Sequence, residues 1–558
     1  MLKNIVLLAD GTGNSSGSPF KTNVWRLFQA IDIEAPPAGQ LPQLTFYNDG
    51  VGTGTFRPLV MLGLAFGVGL ARNVKELYTY LCRNYEPGDN IYLFGFSRGA
   101  FTVRILAGLI LRCGLVKADS EDELRIRVKL AYAEYRRDAA RRATATRPYM
   151  IAGRLLGGSK RGRETDHISF NFPEQHFPRI AFMGVWDTVD AYGMPVDELK
   201  TGIDRYVWPM TLADRRLSDH IDRVCHALSL DDERPTFRPV LWTDPTTDPE
   251  RLSQVWFAGV HADVGGGYPD DSLSYVTLQW MMNEAQRSGL RLYPRDVAAC
   301  AARVNAHGPQ HDSRAGLAGY YRYGPRNVDR LASDRGHDVD IGCVEIHRAA
   351  MSRIQEWQVA YAPISFPTRE PWSPALPVPP RSYALVDSTG PAGELERMFP
   401  VETPGEVIER TRDMRLTELA VIRRRITYFT TLLLTIVLGV LPAFDFFIRS
   451  AAAASLRTAS PSLYRLFSAP FVVAHQLGRL LSGLPFWFSV TSRVSALLSM
   501  VARSGLVPGW TSPWIASFAK HPTVFLICGT TVLWLFVRTS ANLQDQIFAR
   551  AEYSWRRV

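Results

Sequence analysis

The chain has 558 residues, a length that excludes a single small binding module, and 46% hydrophobic with 21% charged residues is the composition of a globular protein. Its net charge of +9 is unevenly distributed. Residues 421–558 carry 14 Lys and Arg against three acids, a local net charge of +11, which leaves −2 for residues 1–420. Because a nucleic-acid-binding body carries its basic residues on a folded face or stripe, this distribution argues against that class and against a nucleic-acid partner.

Up to about residue 290, short apolar runs alternate with amphipathic stretches. This alternation is typical of βαβ units, so it predicts an α/β fold with a mostly parallel sheet flanked by helices. The predicted strands are 5–9, 44–47, 90–94, 179–186 and 254–258. Apolar residues three or four apart predict helices at 73–83, 100–113, 219–230 and 272–287.

Two segments depart from this pattern. A highly charged helical stretch at 121–142 precedes a Gly/Arg-rich segment at 153–164, and together they predict a helical insertion on the surface over about 117–175. Residues 291–420 have a mixed pattern with a Pro-rich run at 366–381, and we interpret them as an extension of the preceding α/β domain with a linker.

The last part of the chain, 421–558, is predicted to be a helical membrane-associated region. Residues 428–448 have Asp445 as their one charge and are long enough for a span. A second candidate span, 520–538, contains an apolar run of 15 residues that is equally consistent with an interfacial or buried helix. No acid occurs from 446 to 544 while basic residues recur, which favours contact with an anionic lipid surface.

The flanking charges and the cysteines indicate the compartment. Basic clusters at 423–425 and after 537 place both ends of the membrane region in the cytoplasm by the positive-inside tendency, although the basic loop between them opposes it. We therefore expect a membrane location with the α/β domain in the cytoplasm, on the inner membrane in a bacterium. The six cysteines are scattered and include no C-x-x-C pair, which favours a reducing compartment without a disulfide framework or a metal site, and no motif calls for another cofactor.

A candidate nucleophile lies between a predicted strand and a predicted helix. Gly95-Phe96-Ser97-Arg98-Gly99 matches G-x-S-x-G, in which a serine on a sharp turn presents its hydroxyl to solvent. The strand-like run 90–94 precedes the motif and the amphipathic stretch 100–113 follows it, which is the context that the motif requires. The alternative is a serine in an ordinary turn.

An acid partner is expected after a later strand, because the chain order of α/β-hydrolases is Ser, Asp or Glu, then His. Asp187 directly follows the buried run 179–186 and would stand at the carboxyl end of a parallel strand. Asp190 is a competing candidate, and a helix-capping role for Asp187 is the structural alternative.

The base is expected near the end of the next strand. His261 follows the run 254–258 on a predicted loop, and three glycines come shortly after it. A histidine there can reach across to a nucleophile, although most single histidines have structural roles. His220 and His226 fall on the predicted helix 219–230 and are interpreted as structural. Asp263 either orients the loop or caps the following helix, and the cap is the preferred interpretation.

Acyl transfer also needs N–H donors for the oxyanion. One donor is normally the amide after the nucleophile, here Arg98, and another comes from a loop after an earlier strand. The small-residue loop 10–14 follows the first predicted strand, which makes the amides of Gly11 and Thr12 candidates. A phosphate-binding loop is the alternative, but no Walker lysine follows.

Five ordered motifs together resemble those of the type VI lipase effector class-one catalytic domain, over roughly residues 2–290. The motifs are Asp-Gly-Thr-Gly-Asn (10–14), Tyr-Asn-Asp-Gly-Val-Gly (47–52), Gly-Phe-Ser-Arg-Gly-Ala (95–100), Gly-Val-Trp-Asp-Thr-Val (184–189) and His-Ala-Asp-Val-Gly-Gly-Gly-Tyr (261–268). The resemblance implies an α/β-hydrolase-like domain acting on lipid esters, with Ser97 as nucleophile, Asp187 as acid and His261 as base. It does not explain the C-terminal region.

The sequence therefore predicts a membrane-associated serine hydrolase that cleaves carboxylic esters, with a lipid or phospholipid as substrate. Two alternatives stay open. One is a catalytically silent scaffold or signalling module held at the membrane. The other is a membrane-permeabilising toxin whose hydrolase domain is accessory.

Overall fold

The computed structural model describes residues 2–11, 17–50, 66–146, 175–189, 216–243, 248, 250–334, 339–356, 361, 363, 382–388, 390–394, 403–448, 457–458, 460–462, 476, 480–481, 483–503 and 511–535. The chain divides into two units. The first comprises Met1–Thr411 with Ala551–Val558, and the second is Arg412–Arg550.

A mixed sheet of nine strands lies at the centre of the described part of the first unit, in the order β11-β10-β9-β8-β7-β6-β3-β1-β2. These strands are β1 (Asn4–Ala9), β2 (Gln43–Asn48), β3 (Asn90–Phe96), β6 (Ile180–Trp186), β7 (Ile221–Ser229), β8 (Leu252–Phe257), β9 (Cys343–His347), β10 (Ser382–Asp387) and β11 (Gly390–Glu394). All neighbouring pairs are parallel except β10 and β11, which are antiparallel. The predicted α/β class with a mostly parallel sheet is confirmed.

Helices cover both faces of this sheet. Those described in the first unit are α1 (Asn23–Ala30), α2 (Phe66–Asn84), α3 (Arg98–Cys113), α4 (Glu121–Thr146), α5 (His261–Gly265), α6 (Ser274–Arg287), α7 (Pro294–Ala301), α8 (Val328–Ala332) and α9 (Arg348–Gln355). Successive residues of β1 point to opposite faces, so Leu7 packs in the cluster with α2, α3 and α4, and Leu8 packs with α1 and α6. Burial on both faces explains why the strands are almost continuously apolar.

The predicted helix at 219–230 is wrong, because this segment forms strand β7. Its apolar residues at 221, 224, 225 and 228 have the three-to-four spacing of a helix. Pairing with β6 on one side and β8 on the other nevertheless holds it extended. Most of its residues are buried, so the two-residue alternation that identifies a half-exposed strand is missing. His226 consequently lies in the sheet, and His220 in the exposed turn before it.

The insertion predicted at 117–175 begins and ends at a small ladder. Strand β4 (Leu115–Val116) pairs antiparallel with β5 (Gln175–His176), which brings the two ends of the segment together. Between them, α4 buries Leu124, Val128 and Ala131 in the core that faces α2 and α3. Its apolar side is therefore part of the core, whereas the Gly/Arg-rich run 153–164 lies outside the described residues.

Residues beyond 290 enlarge the same sheet. Strands β9, β10 and β11 add to the β8 edge, and a third core cluster joins Trp256 of β8 to Leu331 of α8 and Ile346 of β9. The Pro-rich run 366–381 lies outside the described residues.

The described residues of the second unit are mostly helical. Its described helices are α10 (Pro404–Ile448), nearly all of which belongs to this unit, α11 (Pro485–Arg503), α12 (Ser512–Lys520) and α13 (Pro522–Trp534). Along the described residues we find no helix with both the length and the apolar character needed to cross a membrane. The predicted transmembrane region is thus not supported. Of the segment predicted as a span at 520–538, helix α13 covers Pro522–Trp534, which is 13 residues, and α12 ends just before it at Lys520.

The turn between β3 and α3 depends on two glycines. A Cβ on Gly99 would lie 2.0 Å from the carbonyl oxygen of Ala9 at the end of β1. A Cβ on Gly95 would lie 2.6 Å from the carbonyl oxygen of Gly99. Both obstacles are backbone atoms of buried strands and turns, so they cannot move aside as a flexible side chain would. The glycines allow α3 to begin directly against the sheet.

We therefore expect Gly99→Ala to destabilise the fold by about 2–3 kcal/mol, because the added methyl group must displace the end of β1. Chemical denaturation followed by circular dichroism measures the effect. Gly342→Ala is the matched control, since a Cβ there meets no atom within 4 Å. Equal unfolding midpoints for the two variants would contradict the packing argument.

Candidate active site

Ser97, His261 and Asp187 form one hydrogen-bonded chain. The distance from Ser97 Oγ to His261 Nε2 is 2.7 Å, and from His261 Nδ1 to Asp187 Oδ2 it is 2.5 Å. In the sequence, Ser97 lies 164 positions before His261, and Asp187 lies 74 positions before it. The arrangement is that of a nucleophile, a base and a group that orients the base.

The parallel sheet brings these residues together. Ser97 directly follows β3 and Asp187 directly follows β6, the neighbouring strand, with Phe96 in register with Trp186. The amide of Ser97 donates to the Trp186 carbonyl at 2.9 Å. Because the carboxyl ends of parallel strands share one edge of the sheet, residues after different strands can meet there.

Both Ser97 and Asp187 have strained backbones. Within the described ranges they are the two non-glycine residues with positive φ, 57° for Ser97 and 39° for Asp187. The amide of Asp187 donates to the Ala227 carbonyl of β7 at 2.7 Å, which helps to hold its conformation. Strain of this kind persists only where the surrounding structure enforces it, and it is concentrated at functional sites.

His261 is the first residue of the short helix α5 and not part of a flexible loop as its sequence context indicated. Its amide donates to Asp232 Oδ2 at 3.2 Å, and its ring lies between the rings of Phe96, at 4.7 Å, and Phe237, at 5.0 Å. Burial lowers the pKa of the imidazole below its ordinary value, although the hydrogen bond and charge of Asp187 act in the opposite direction. The ring is therefore neutral at pH 7 and can accept a proton.

The Asp187 carboxylate is fully enclosed, with 0% exposure. Its Oδ1 accepts from the amide of Ser229 at 3.1 Å and from Arg326 Nη1 at 2.7 Å. Its Oδ2 accepts from His261 and from Arg326 Nη2 at 2.8 Å. Burial acts to raise the pKa of this carboxyl, but the charge of Arg326 and the hydrogen bonds from His261 and Arg326 lower it below the ordinary range. Asp187 is thus ionised at neutral pH.

Several residues of this site were not identified from the sequence. Asp231 and Asp232 follow β7, where they accept from the amides of Gly259 at 2.6 Å and His261. The mistaken helix at 219–230 concealed them, since a strand there would have placed both acids at the carboxyl edge of the sheet. Arg326 lies in the mixed segment 291–420, and no local pattern marks it.

The remaining acidic candidates have other positions. Asp263 Oδ2 accepts from the amide of Val260 at 3.0 Å and so caps its own helix, α5, and not the following one. Its Oδ1 lies 2.6 Å from His311 Nδ1. Asp190 lies outside the described residues. Within those residues no group of three or more His, Cys, Asp or Glu side chains is placed to hold a metal ion.

The predicted oxyanion donors are only partly described. The Gly11 amide is directed at Asp10 Oδ1, 2.6 Å away, and Asp10 also accepts from Thr22 at 2.6 Å and Tyr47 at 2.5 Å. Thr12 lies outside the described residues. Arg98 begins α3, so its amide belongs to the first turn of a helix, where N–H groups point away from the helix's own carbonyls.

The nucleophile is less accessible than the motif indicated. The G-x-S-x-G motif predicts a serine hydroxyl presented to solvent, yet Ser97 is 6% exposed and His261 5% exposed. The packing of Phe96 and Phe237 on His261 contributes to this enclosure. A water-poor site strengthens the hydrogen bonds within the chain Ser97–His261–Asp187.

His226 supports the segment after Asp187. The amide of Thr188 donates to His226 Nε2 at 3.1 Å, so the ring must be neutral on that nitrogen. Burial, assisted by the charge of Arg104, lowers the pKa of His226 to about 3. A fully buried histidine of this kind binds no proton in the folded state at mildly acidic pH.

We expect His226 to contribute a loss of stability as the pH decreases from about 6.5 towards 3, because the unfolded state binds a proton at position 226 and the folded state does not. The contribution is at most about 1.4 kcal/mol per pH unit. Urea denaturation at pH 7, 6 and 5 measures the slope, which His226→Gln should reduce. His220→Gln, at an exposed position, is the matched control. An unchanged slope in His226→Gln would contradict the assignment.

Comparisons with known proteins find similarity over about half of the chain. A family model described as the catalytic domain of Tle1-like phospholipase effectors of the type VI secretion system matches residues 3–284. The uncharacterised protein YEL023C of Saccharomyces cerevisiae is 27% identical over 267 residues, which are 46% of this chain and 35% of that protein. The chain thus spans about a third of the length of this curated relative.

Two solved structures are also similar. An uncharacterised protein from Pseudomonas aeruginosa is 20% identical, with a TM-score of 0.30, and the match covers 55% of this chain and 49% of that one. A Tle1 effector bound to the VgrG spike of the type VI secretion system is 12% identical, with a TM-score of 0.32, and the match covers 57% of this chain and 78% of that one.

Proposed function

The chain belongs to the family of Tle1-like catalytic domains of type VI secretion phospholipase effectors, and from this premise we propose that it is a serine hydrolase that cleaves carboxylic esters of lipids or phospholipids. The observation that carries the proposal is the hydrogen-bonded chain from Ser97 through His261 to Asp187. Its location on a strand–turn–helix elbow supports an acyl-transfer role.

The proposed reaction begins with attack of Ser97 Oγ on the ester carbonyl. His261 Nε2 takes the hydroxyl proton as the new C–O bond forms, and Asp187 stabilises the resulting imidazolium. His261 then gives this proton to the leaving alcohol, which departs as the acyl-enzyme forms. Water, activated by the same histidine, hydrolyses the acyl-enzyme and restores Ser97.

The negative charge on the tetrahedral intermediate needs donors that are already in place. The Arg98 amide, in the first turn of α3, is the described donor next to the nucleophile. The Gly11 amide, which follows β1, the neighbour of β3, is bonded to Asp10 Oδ1, so a second donor from this segment stays a prediction. Asp10 itself accepts from Tyr47 and Thr22.

Ser97→Ala should abolish ester hydrolysis, with a loss of about 10⁴-fold or more in kcat, because the nucleophile is removed. Release of p-nitrophenol from short acyl esters and of fatty acid from phospholipid vesicles measures it. Ser120→Ala, at an exposed serine in the insertion, is the control that should retain full activity. Undiminished hydrolysis by Ser97→Ala would exclude the mechanism, and a wild-type chain without esterase activity would favour the silent scaffold.

Association of the second unit with an anionic membrane surface is the remaining part of the proposal. One face of α10 carries seven apolar side chains spaced three or four residues apart, each between 43% and 61% exposed. They are Leu419, Ile422, Ile426, Phe429, Leu433, Ile436 and Val440. This stripe and the acid-free sequence from 446 to 544 favour contact with a lipid surface that carries anionic headgroups. Placement of the first unit in the cytoplasm stays a prediction.

We expect the full chain to float with vesicles that contain anionic lipid and to bind neutral vesicles less. The double variant Ile426→Asp/Leu433→Asp should lose most of this binding, because it puts two charges in the apolar stripe. Ile126→Asp, at a residue that is 58% exposed in the first unit, is the matched control. Equal flotation of the two variants would contradict a membrane contact through α10.

A further inference from the structure

Arg326 connects the segment beyond residue 290 to the acid of the site. It lies two residues before α8 and outside the region 3–284 that the family model matches. Its side chain is buried, and its two terminal nitrogens make four hydrogen bonds. Two go to the Asp187 carboxylate, one to the Ser229 carbonyl at 2.5 Å and one to the Phe237 carbonyl at 2.6 Å.

The two bonds to Asp187 determine the plane of its carboxylate. Nη1 bonds Oδ1 at 2.7 Å and Nη2 bonds Oδ2 at 2.8 Å, which is the paired geometry that a planar guanidinium makes with a carboxylate. Rotation of the carboxylate would break both bonds at once. Since Oδ2 also accepts from His261 Nδ1, the guanidinium sets the direction from which the imidazole is held.

Arg326 also maintains the charge of Asp187. A carboxylate without water around it would otherwise become neutral, since burial disfavours the ionised form. An ionised Asp187 accepts a hydrogen bond from the protonated Nδ1 of His261. In this tautomer Nε2 carries no proton, and its lone pair faces the Ser97 hydroxyl. A protonated Asp187 could not enforce this tautomer.

We infer that Arg326 is a positioning residue of the site, which keeps Asp187 ionised and oriented so that His261 presents an unprotonated Nε2 to Ser97. The inference rests on the proposed hydrolase function. The arginine also lowers the basicity of His261, because its positive charge opposes the formation of an imidazolium beside Asp187. The other charged groups that face His261 are Asp232 and Arg234, and these form an ion pair with each other at 2.7 Å.

A structural role is the competing explanation. The bonds from Arg326 to the carbonyls of Ser229 and Phe237 attach the segment before α8 to the end of β7 and the turn at Pro235–Phe237. If this attachment were the whole role, loss of Arg326 would lower stability and leave the chemistry of the folded molecules unchanged. The two explanations differ in the pH dependence of the activity that remains.

The test compares Arg326→Gln and Arg326→Lys in the full chain. Lysine retains the positive charge but cannot make the paired contact, and glutamine retains neither. Arg353→Lys is the matched control at another buried arginine, which donates to the carbonyls of Ala306 and Gly308. For each chain, the thermal unfolding midpoint gives the folded fraction, and kcat and KM for a short p-nitrophenyl ester are measured from pH 5 to 9.

We expect Arg326→Gln to lower kcat on the order of 100-fold with little change in KM, as removal of an orienting partner does. On the acid side of the pH profile, its activity should be lost at a pH about one unit higher than that of the wild type. The reason is that the positive charge that opposes protonation of His261 and Asp187 is gone. Arg326→Lys should lose about 10-fold in kcat and keep the acid limb of the wild type. Arg353→Lys should match the wild type in both.

A second measurement is independent of turnover. Histidine NMR of the Ser97→Ala chain reports the titration of His261, and adding Arg326→Gln should shift this titration by about one unit, because both the charge beside the imidazole and the ionisation of Asp187 change. If the wild type hydrolyses no ester, the proposed function fails, and this titration still decides the role of Arg326. A His261 pKa that Arg326→Gln does not change overturns the inference. A folded Arg326→Gln chain that loses activity at the same acidic pH as the wild type also overturns the inference. Loss of the fold in both Arg326 variants overturns it as well.

Discussion

The buried Asp187 carboxylate is the group on which the geometry of the site depends. With 0% exposure it has no water, so its charge must be satisfied by donors from the protein. These donors come from three separate segments: Ser229 at the end of β7, His261 at the start of α5, and Arg326 before α8. A single charge therefore joins the sheet, the base and the segment beyond residue 290.

The other constraint is the close approach of backbone at the carboxyl edge of the sheet. Ser97 and Asp187 follow adjacent strands and both have positive φ, and the amide of each donates a hydrogen bond to a carbonyl of the next strand. Gly99 makes this approach possible, because any side chain there would meet the end of β1. Local strain at the two residues is thus balanced by the cooperative pairing of β1, β3, β6 and β7.

The extent to which the sequence predicted this structure differs between its parts. The strand before Ser97 and the helix after it follow from local patterns, and so do the strands before Asp187 and His261. Strand β7 was predicted as a helix, because a strand buried on both faces lacks alternation and its apolar spacing happens to match a helical turn. That error concealed Asp231 and Asp232, which hold the amides of Gly259 and His261.

The sequence by itself predicted the candidate catalytic residues and the order in which they appear, because the G-x-S-x-G motif and the acid and histidine after apolar runs are local features. It also determined the separation of a near-neutral body from a basic C-terminal quarter. Only the tertiary structure decided that β7 is a strand, that His261 begins a helix, that Ser97 is enclosed and that Arg326 holds Asp187. Arg326 and Asp187 are 139 residues apart, and a contact over that distance depends on the packing of the whole sheet and leaves no local pattern.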